Sequence, residues 1–258
     1  MLFTFSKYQA TGNDFVLIDN RAGTLNLSVE QVRLLCDRHF GIGADGLILI
    51  EPHPTADFRL VYYNRDGSQS LCGNGSRAAV VFAGCLGLIR NGQTVFEAYD
   101  GLHEARIMPN GWVRLRMHDV ADVRENTYGQ FVNTGSPHVV QWVSGIATFS
   151  VAETGAKIRH AEAFAPGGTN VNFAEALAGG PILVRTFERG VEAETLSCGT
   201  GVTAVALAAA RRGFTSPVHL RTPGGELQVE FKMSQTGTFS EIFLSGPAKM
   251  VFQGNLEL

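Results

Sequence analysis

The sequence predicts an α/β (α+β) protein built as two homologous, strand-rich halves, each wrapping one mostly buried helix. Three observations carry that expectation. Short β-branched and aromatic runs recur between clusters of glycine, two alanine-rich runs almost free of charge read as buried helices, and those two runs are copies of one another.

At 258 residues the chain exceeds the roughly 250 residues at which a single core usually stops growing, so two domains are expected. Hydrophobic residues at 45% supply enough apolar surface for two cores, and charged residues at only 17% exclude a disordered polyelectrolyte. In chain order the strand-like runs are "FVLID", "GLILIEP", "FRLVYYN", "TVFEAY", "WVRLRM", "HVVQWV", "ILVRTF", "VHLRT", "ELQVEF" and "EIFLSG". Between the first two lies "LSVEQVRLLCDRHF", which opens with Ser28 as an N-cap and places Val29, Val32 and Leu35/Cys36 on one helical face. The two buried helices are expected after Cys72 ("SRAAVVFAGCLGL") and after Cys198 ("GVTAVALAAARRG").

The repeat ties these elements together. Laying "SLCGNGSRAAVVFA" over "LSCGTGVTAVALAA" sets Cys72 on Cys198, 126 residues apart, with glycines one and three positions further on in both. Laying "ATGNDFVLID" over "NTGSPHVVQW" sets Thr11 on Thr134, 123 residues apart. Two matches at nearly one offset imply two halves, 1–120 and 121–246, with a boundary near residues 118–126. The final stretch 247–258 is expected to cross back and complete the first half, because "VFEAYDGLHEARI" and "WVRLRMHDV" need sheet partners.

A net charge of −3, with Arg211 and Arg212 as the longest basic cluster, argues against nucleic acid and anionic membranes as partners. The start "MLFTFSKYQATGNDF" has no leader pattern, and no apolar run reaches the 18 or so residues of a membrane span, so a cytoplasmic location is expected. Cys36, Cys72, Cys85 and Cys198 are scattered rather than set at metal-ligand spacing. No metal or cofactor is expected.

Taken singly, either cysteine before an alanine-rich helix would read as a small buried hydrophobe. Duplicated at equivalent places, the pair points to chemistry. A helix start exposes unpaired N–H groups and the positive end of the dipole, which favour a thiolate and hold an anion. Glycines there are expected to adopt positive φ and to bring their N–H groups up to a ligand. Two such thiols flanking one carbon could remove a proton from one face and deliver one to the other, inverting a stereocentre. Cys36, on an apolar helix face, and Cys85, near a helix end, read as core fillers.

With these residues in view, the chain resembles the diaminopimelate epimerase family over nearly its whole length. The resemblance rests on "KYQATGNDFVLID", "CDRHFGIGADGLILIEP", "YYNRDGSQSLCGNGSRA", "NTGSPHVV", "GGTNVNF" and "FERGVEAETLSCGTGVTAVALA". It implies two pseudo-symmetric domains, each a curled mixed β-sheet around a central helix, and interconversion of LL- and meso-2,6-diaminopimelate without a cofactor. It also implies a homodimer. Cys72 and Cys198 match the acid/base pair. Gly73, Asn74, Gly199 and Thr200 match the helix-start positions that hold the reacting carboxylate. Asn13, Asn64, Asn170, Glu188 and Arg189 match substrate-recognition positions, while His138 and Glu188 match positions that tune the thiols. An arginine suits a diacid, because its planar fork binds a carboxylate bidentately.

Two positions depart from the family pattern. Ser136 stands where many members carry a substrate-contacting asparagine, and Gly46 where some carry glutamine. Both shrink a polar group, so that either a water takes over a contact or the far end of the substrate differs. A related two-thiol racemase acting on histidine or proline, and a thiol-sensing binding protein, are the competing readings. Phenazine-type isomerases share the fold but generally lack the cysteine pair.

Overall fold

The computed structural model describes residues 2–257 and divides into two compact units, Met1–Leu115 with Gly246–Leu258, and Arg116–Ser245.

In the first unit the strands are β1 (Leu2–Ala10), β2 (Asn13–Asp19), β3 (Gly46–Glu51), β4 (Phe58–Asn64), β5 (Gln93–Ala98), β6 (Gly101–Ile107), β7 (Val113–Arg116) and, from the far end of the chain, β17 (Lys249–Glu257). Their lateral order is β17-β1-β2-β3-β4-β5-β6-β7, antiparallel except for the parallel pairs β2/β3 and β4/β5. The last strand pairs with β1, while β4, β5, β6 and β7 follow one another in the lateral order. Helix α1 (Val29–Cys36) links β2 to β3, and α2 (Gly73–Cys85) links β4 to β5.

The second unit holds β8 (Arg124–Asn126), β9 (Gly129–Asn133), β10 (Pro137–Trp142), α3 (Val151–Arg159), β11 (Asn170–Ala176), β12 (Ile182–Glu188), β13 (Ala193–Thr195), α4 (Gly199–Ala210), β14 (Val218–Thr222), β15 (Gly225–Met233) and β16 (Phe239–Gly246). Its order β8-β9-β10-β11-β12-β14-β15-β16 runs antiparallel except at β10/β11 and β12/β14. The short β13 also pairs with β12. The two units thus repeat one series of strand directions, with a helix inserted at the same two places.

Parallel strands covered on both faces read as continuous apolar runs rather than as alternations, and "FVLI" in β2 and "LILI" in β3 do so. Val16, Ile18, Leu47 and Leu49 pack toward Val32, Leu35 and Cys36 of α1. Residues of the opposite parity, including Phe15 and Ile48, face α2, where they crowd Gly75. In the second unit Val139, Val171, Phe173 and Phe187 meet Val151 and Ile158 of α3. The central helices are buried as the missing charges implied: Ala78, Ala79 and Ala83 of α2 are fully enclosed, and all of α4 but Thr200 is buried.

Val29 departs from the expected apolar face. It occupies the first turn of α1 and is 43% exposed. Cys85 departs as well: as the last residue of α2 it emerges into solvent, with Tyr8 Oη donating toward its sulfur at 3.8 Å. Cys36 is the core filler expected, and burial pushes its thiol up to about 11.

Candidate active site

Each central helix begins at a cysteine. Cys72 caps α2 with φ −133° and ψ 108°, and Cys198 caps α4 with φ −121° and ψ 113°, the extended conformation an N-cap requires. The Cys72 sulfur accepts from the Gly75 N–H at 3.3 Å, while the Cys198 sulfur lies 3.4 Å from Thr200 Oγ1.

The glycines of the two motifs do not serve through positive φ: Gly73, Gly75, Gly199 and Gly201 all lie outside that region. Two of them, Gly75 and Gly201, serve by lacking a Cβ. One added at Gly201 would stand 2.3 Å from Asn172 Oδ1, and one at Gly75 would stand 3.3–3.4 Å from Ile48, Phe15 and Cys72. Around Gly73 the space within 4 Å is open.

In the first unit the register sets Phe15 beside Gly46 and Gly46 beside Asn64, on the face that carries α2. Asn13 opens β2. Its Nδ2 donates to Asp45 Oδ2 at 2.7 Å, and its Oδ1 accepts from Asn74 Nδ2 at 3.3 Å and faces the Cys72 thiol at 3.7 Å. Asn64 is held by Ser68 and Ser70, its Nδ2 donating to Ser70 Oγ at 3.1 Å. Gly46 is not a vacated polar position that water must fill. A side chain there would meet the ring and hydroxyl of Tyr62 at 2.4 and 2.8 Å, so the tyrosine occupies that space.

In the second unit the same register sets His138 beside Asn170, and pairs Val171 with Phe187 so that Asn170 lies next to Glu188. By this correspondence Asn170 stands where Gly46 does, and Glu188 where Asn64 does. Ser136 occupies the place of Asn13, and its Oγ reaches Thr200 Oγ1 at 3.4 Å as Asn13 reaches Asn74. Ser136 also bonds His138 Nε2 at 2.9 Å and accepts from Asn170 Nδ2 at 3.4 Å. Asn170 is buried, its Nδ2 donating to the Pro137 carbonyl at 3.0 Å and its Oδ1 accepting from the Arg189 N–H at 2.9 Å. Glu188 accepts from Thr195 Oγ1 at 2.8 Å, and the Arg189 side chain is exposed, reaching the Gly167 carbonyl at 3.4 Å.

His138 is fully enclosed. Asn172 Nδ2 donates to its Nδ1 at 3.1 Å and to the Val139 carbonyl, which can only accept, so Nδ1 is an acceptor and Nε2 carries the proton toward Ser136. Burial first, and the Arg189 charge second, push its pKa down to about 3. The histidine is therefore a neutral donor at Ser136.

Three residues near the thiols were not singled out from sequence. Asp45 anchors Asn13, Asn172 fixes the His138 tautomer, and Arg77 is a fully buried arginine on α2. Arg77 was visible as the lone charge of an otherwise apolar helix. Asp45 and Asn172 gave no such signal, because only strand register brings them to the site.

Comparison with known proteins accords with this geometry. The family model described as diaminopimelate epimerase matches residues 5–121 and 130–251. A diaminopimelate epimerase of Flavobacterium psychrophilum is 47% identical over 251 residues, covering 96% of this chain and 97% of its own. One from Chlorobaculum tepidum is 45% identical over 257 residues, covering 96% and 98%. Among solved structures, a phenazine biosynthesis protein of the PhzF family from Bacillus anthracis superposes with a TM-score of 0.79 at 14% identity over all of both chains. A hydroxyproline epimerase from Agrobacterium vitis superposes with a TM-score of 0.70 at 15% identity, over 99% of this chain and 92% of its own. At such identities these two establish the fold alone. Full-length similarity at 47% identity and a family match spanning both halves lead to one conclusion: the chain belongs to the diaminopimelate epimerase family.

Proposed function

We propose that the chain is an epimerase that interconverts LL- and meso-2,6-diaminopimelate by two-base proton transfer, serving lysine and peptidoglycan precursor synthesis in the cytoplasm. The observation that carries this reading is the pair of cysteine N-caps, Cys72 on α2 and Cys198 on α4, at equivalent points of two units with one strand order. In this scheme the α-carboxylate is held by N–H groups at the helix starts, from Gly73 and Asn74 in one unit and from Gly199 and Thr200 in the other. One cysteine, as thiolate, takes the α-proton from one face of the carbon. The carbanion then receives a proton from the other cysteine's thiol on the opposite face, and the two sulfurs end with exchanged protonation states. Both protons move between the substrate's α-carbon and the chain's own two thiols, so the scheme calls for no metal or cofactor.

Asn13, Asn64, Asn170, Glu188 and Arg189 recognise the substrate in this reading, with the exposed Arg189 fork suited to the distal carboxylate. His138, neutral and buried, holds Ser136 in place beside Thr200. A second copy of the chain is the expected partner. The outer strand β17 and its neighbour β1 expose Leu2, Met250, Val251 and Phe252, an apolar edge of the kind that pairs with another chain.

The test is α-hydrogen exchange in deuterated water with LL-diaminopimelate, histidine and proline as substrates. Exchange with inversion is expected for diaminopimelate alone, falling by about 100-fold or more in Cys72→Ala and in Cys198→Ala. Turnover of histidine or proline would assign the chain to another racemase. Wild-type protein that exchanges nothing would make it a binding protein.

A further inference from the structure

A chain of side-chain amides runs behind Cys72, and its polarity is set from both ends. At one end Arg77 Nη2 donates to Asn74 Oδ1 at 3.0 Å and to Thr11 Oγ1 at 3.1 Å. Asn74 Nδ2 donates to Asn13 Oδ1 at 3.3 Å, and Asn13 Nδ2 donates to Asp45 Oδ2 at 2.7 Å. An amide can be turned end for end with little change of shape, but a guanidinium only donates and a carboxylate only accepts. Arg77 therefore takes the oxygen of Asn74, and Asp45 takes the nitrogen of Asn13. Both ends dictate the same result: the Asn13 oxygen faces the Cys72 thiol, which donates to it at 3.7 Å.

The Asp45 end is anchored by charge. Arg38 Nη2 donates to Asp45 Oδ1 at 2.8 Å and, with Nη1, grips Asp14 at 2.7 and 3.0 Å. Lys7 reaches Asp14 at 2.6 Å, and the Asp14 N–H donates to Asp45 Oδ2 at 3.2 Å. Arg77 is wholly enclosed, no carboxylate among the described residues pairs with it, and its Nε finds no acceptor. Burying a cation without a countercharge is costly.

We propose that Asp45 and Arg77 are positioning residues: acting through Asn13 and Asn74, they hold a carbonyl oxygen against Cys72 and so keep its sulfur protonated and aimed before substrate arrives. This assignment rests on the reading of Cys72 as an acid/base. In Asp45→Asn the single side-chain oxygen stays with Arg38, the amide nitrogen turns toward Asn13, and Asn13 must turn its own nitrogen toward the sulfur.

A double-mutant cycle between Asp45→Asn and Asn13→Ala tests it, with kcat and KM for LL-diaminopimelate as the readout. A residue that acts only through Asn13 has nothing left to act on once that amide is gone. Asp45→Asn is expected to lower kcat by about tenfold or more in the wild-type background, with KM changed less, and by under about threefold in Asn13→Ala. A ratio of the two losses below about three, or an Asp45→Asn enzyme as active as wild type, overturns the proposal. If Asp45→Asn fails to fold, the same cycle is run from the other end with Arg77→Lys and Asn74→Ala, which retains the Asn74 backbone N–H, and is judged by the same ratio. Full turnover in Cys72→Ala would instead sink the two-thiol reading itself.

Discussion

His138 shows how a single side chain links burial to pH. An exposed histidine titrates near 6.5, whereas in the folded chain burial and the Arg189 charge bring the value down to about 3. Between those two values the unfolded chain binds a proton that the native chain refuses. Stability is therefore complete above pH 6.5 and falls as the pH drops, by about 1.4 kcal/mol per unit for this one group. Replacing it by glutamine removes that slope. Urea unfolding at pH 7 and pH 5 should show the stability gap between wild type and His138→Gln narrowing by about 2 kcal/mol at the lower pH. A gap of constant width would mean that His138 does not carry the acid sensitivity. Asp14 works in the same sense over a lower window: burial raises its pKa, but Arg38 and Lys7 overcome this and hold it at about 2, below the ordinary 3.8, so its contribution is complete above pH 3.8 and is lost as the pH falls toward 2.

Legibility at this scale followed the range of the forces. A cap is decided within four residues, so Cys72 and Cys198 could be placed at helix starts from sequence. The motif glycines do not take the positive φ expected of them; Gly75 and Gly201 matter instead for close neighbours that come from β2, β3 and β11 rather than from a turn. Asp45 and Asn172 were invisible because parallel pairing, not chain proximity, carries them to Asn13 and His138.

Among the elements, α1 is the one whose start is held most clearly by local chemistry. Ser28 Oγ accepts from the Gln31 N–H at 3.3 Å while Gln31 Oε1 accepts from the Ser28 N–H at 2.9 Å, a reciprocal capping box. Eight residues make a short helix that depends on its cap and on Val32, Leu35 and Cys36 packing beneath it. Ser28→Ala should cost about 1 kcal/mol, read as a lowered urea midpoint with unchanged slope. An unchanged midpoint would mean that packing alone holds the helix. The cap was readable in advance, but Val29 was not: a helical wheel treats every turn alike, while the first turn here leaves Val29 exposed. Cys85, the last residue of α2, likewise lies outside the core expected for it.

The whole molecule repeats one series of strand directions, yet its two units differ in how the chain builds them. Arg116–Ser245 is continuous, whereas the other unit needs Gly246–Leu258 to finish its sheet. Glycine clusters and apolar runs announced ten of the strands. The partner of the last one was not among them, because which edge a terminal strand joins depends on the whole sheet. Ending the chain after Ser245 strips β1 of its neighbour from Leu2 to Gln9. Hydrogen exchange on that truncated chain should show protection lost in β1, β2 and α2 while β10–β12 and α4 keep theirs. Equal loss in both units would show that they fold as one cooperative body.

The pairing of β1 with β17 also sets a schedule for synthesis. Leu2 pairs with Glu257, so β1 leaves the ribosome well before β17, the strand it pairs with. By the time β17 emerges, the continuous unit already has every strand it needs. The unit begun first is thus completed after the continuous one, and its β1 edge stays open to other partners until β17 is made.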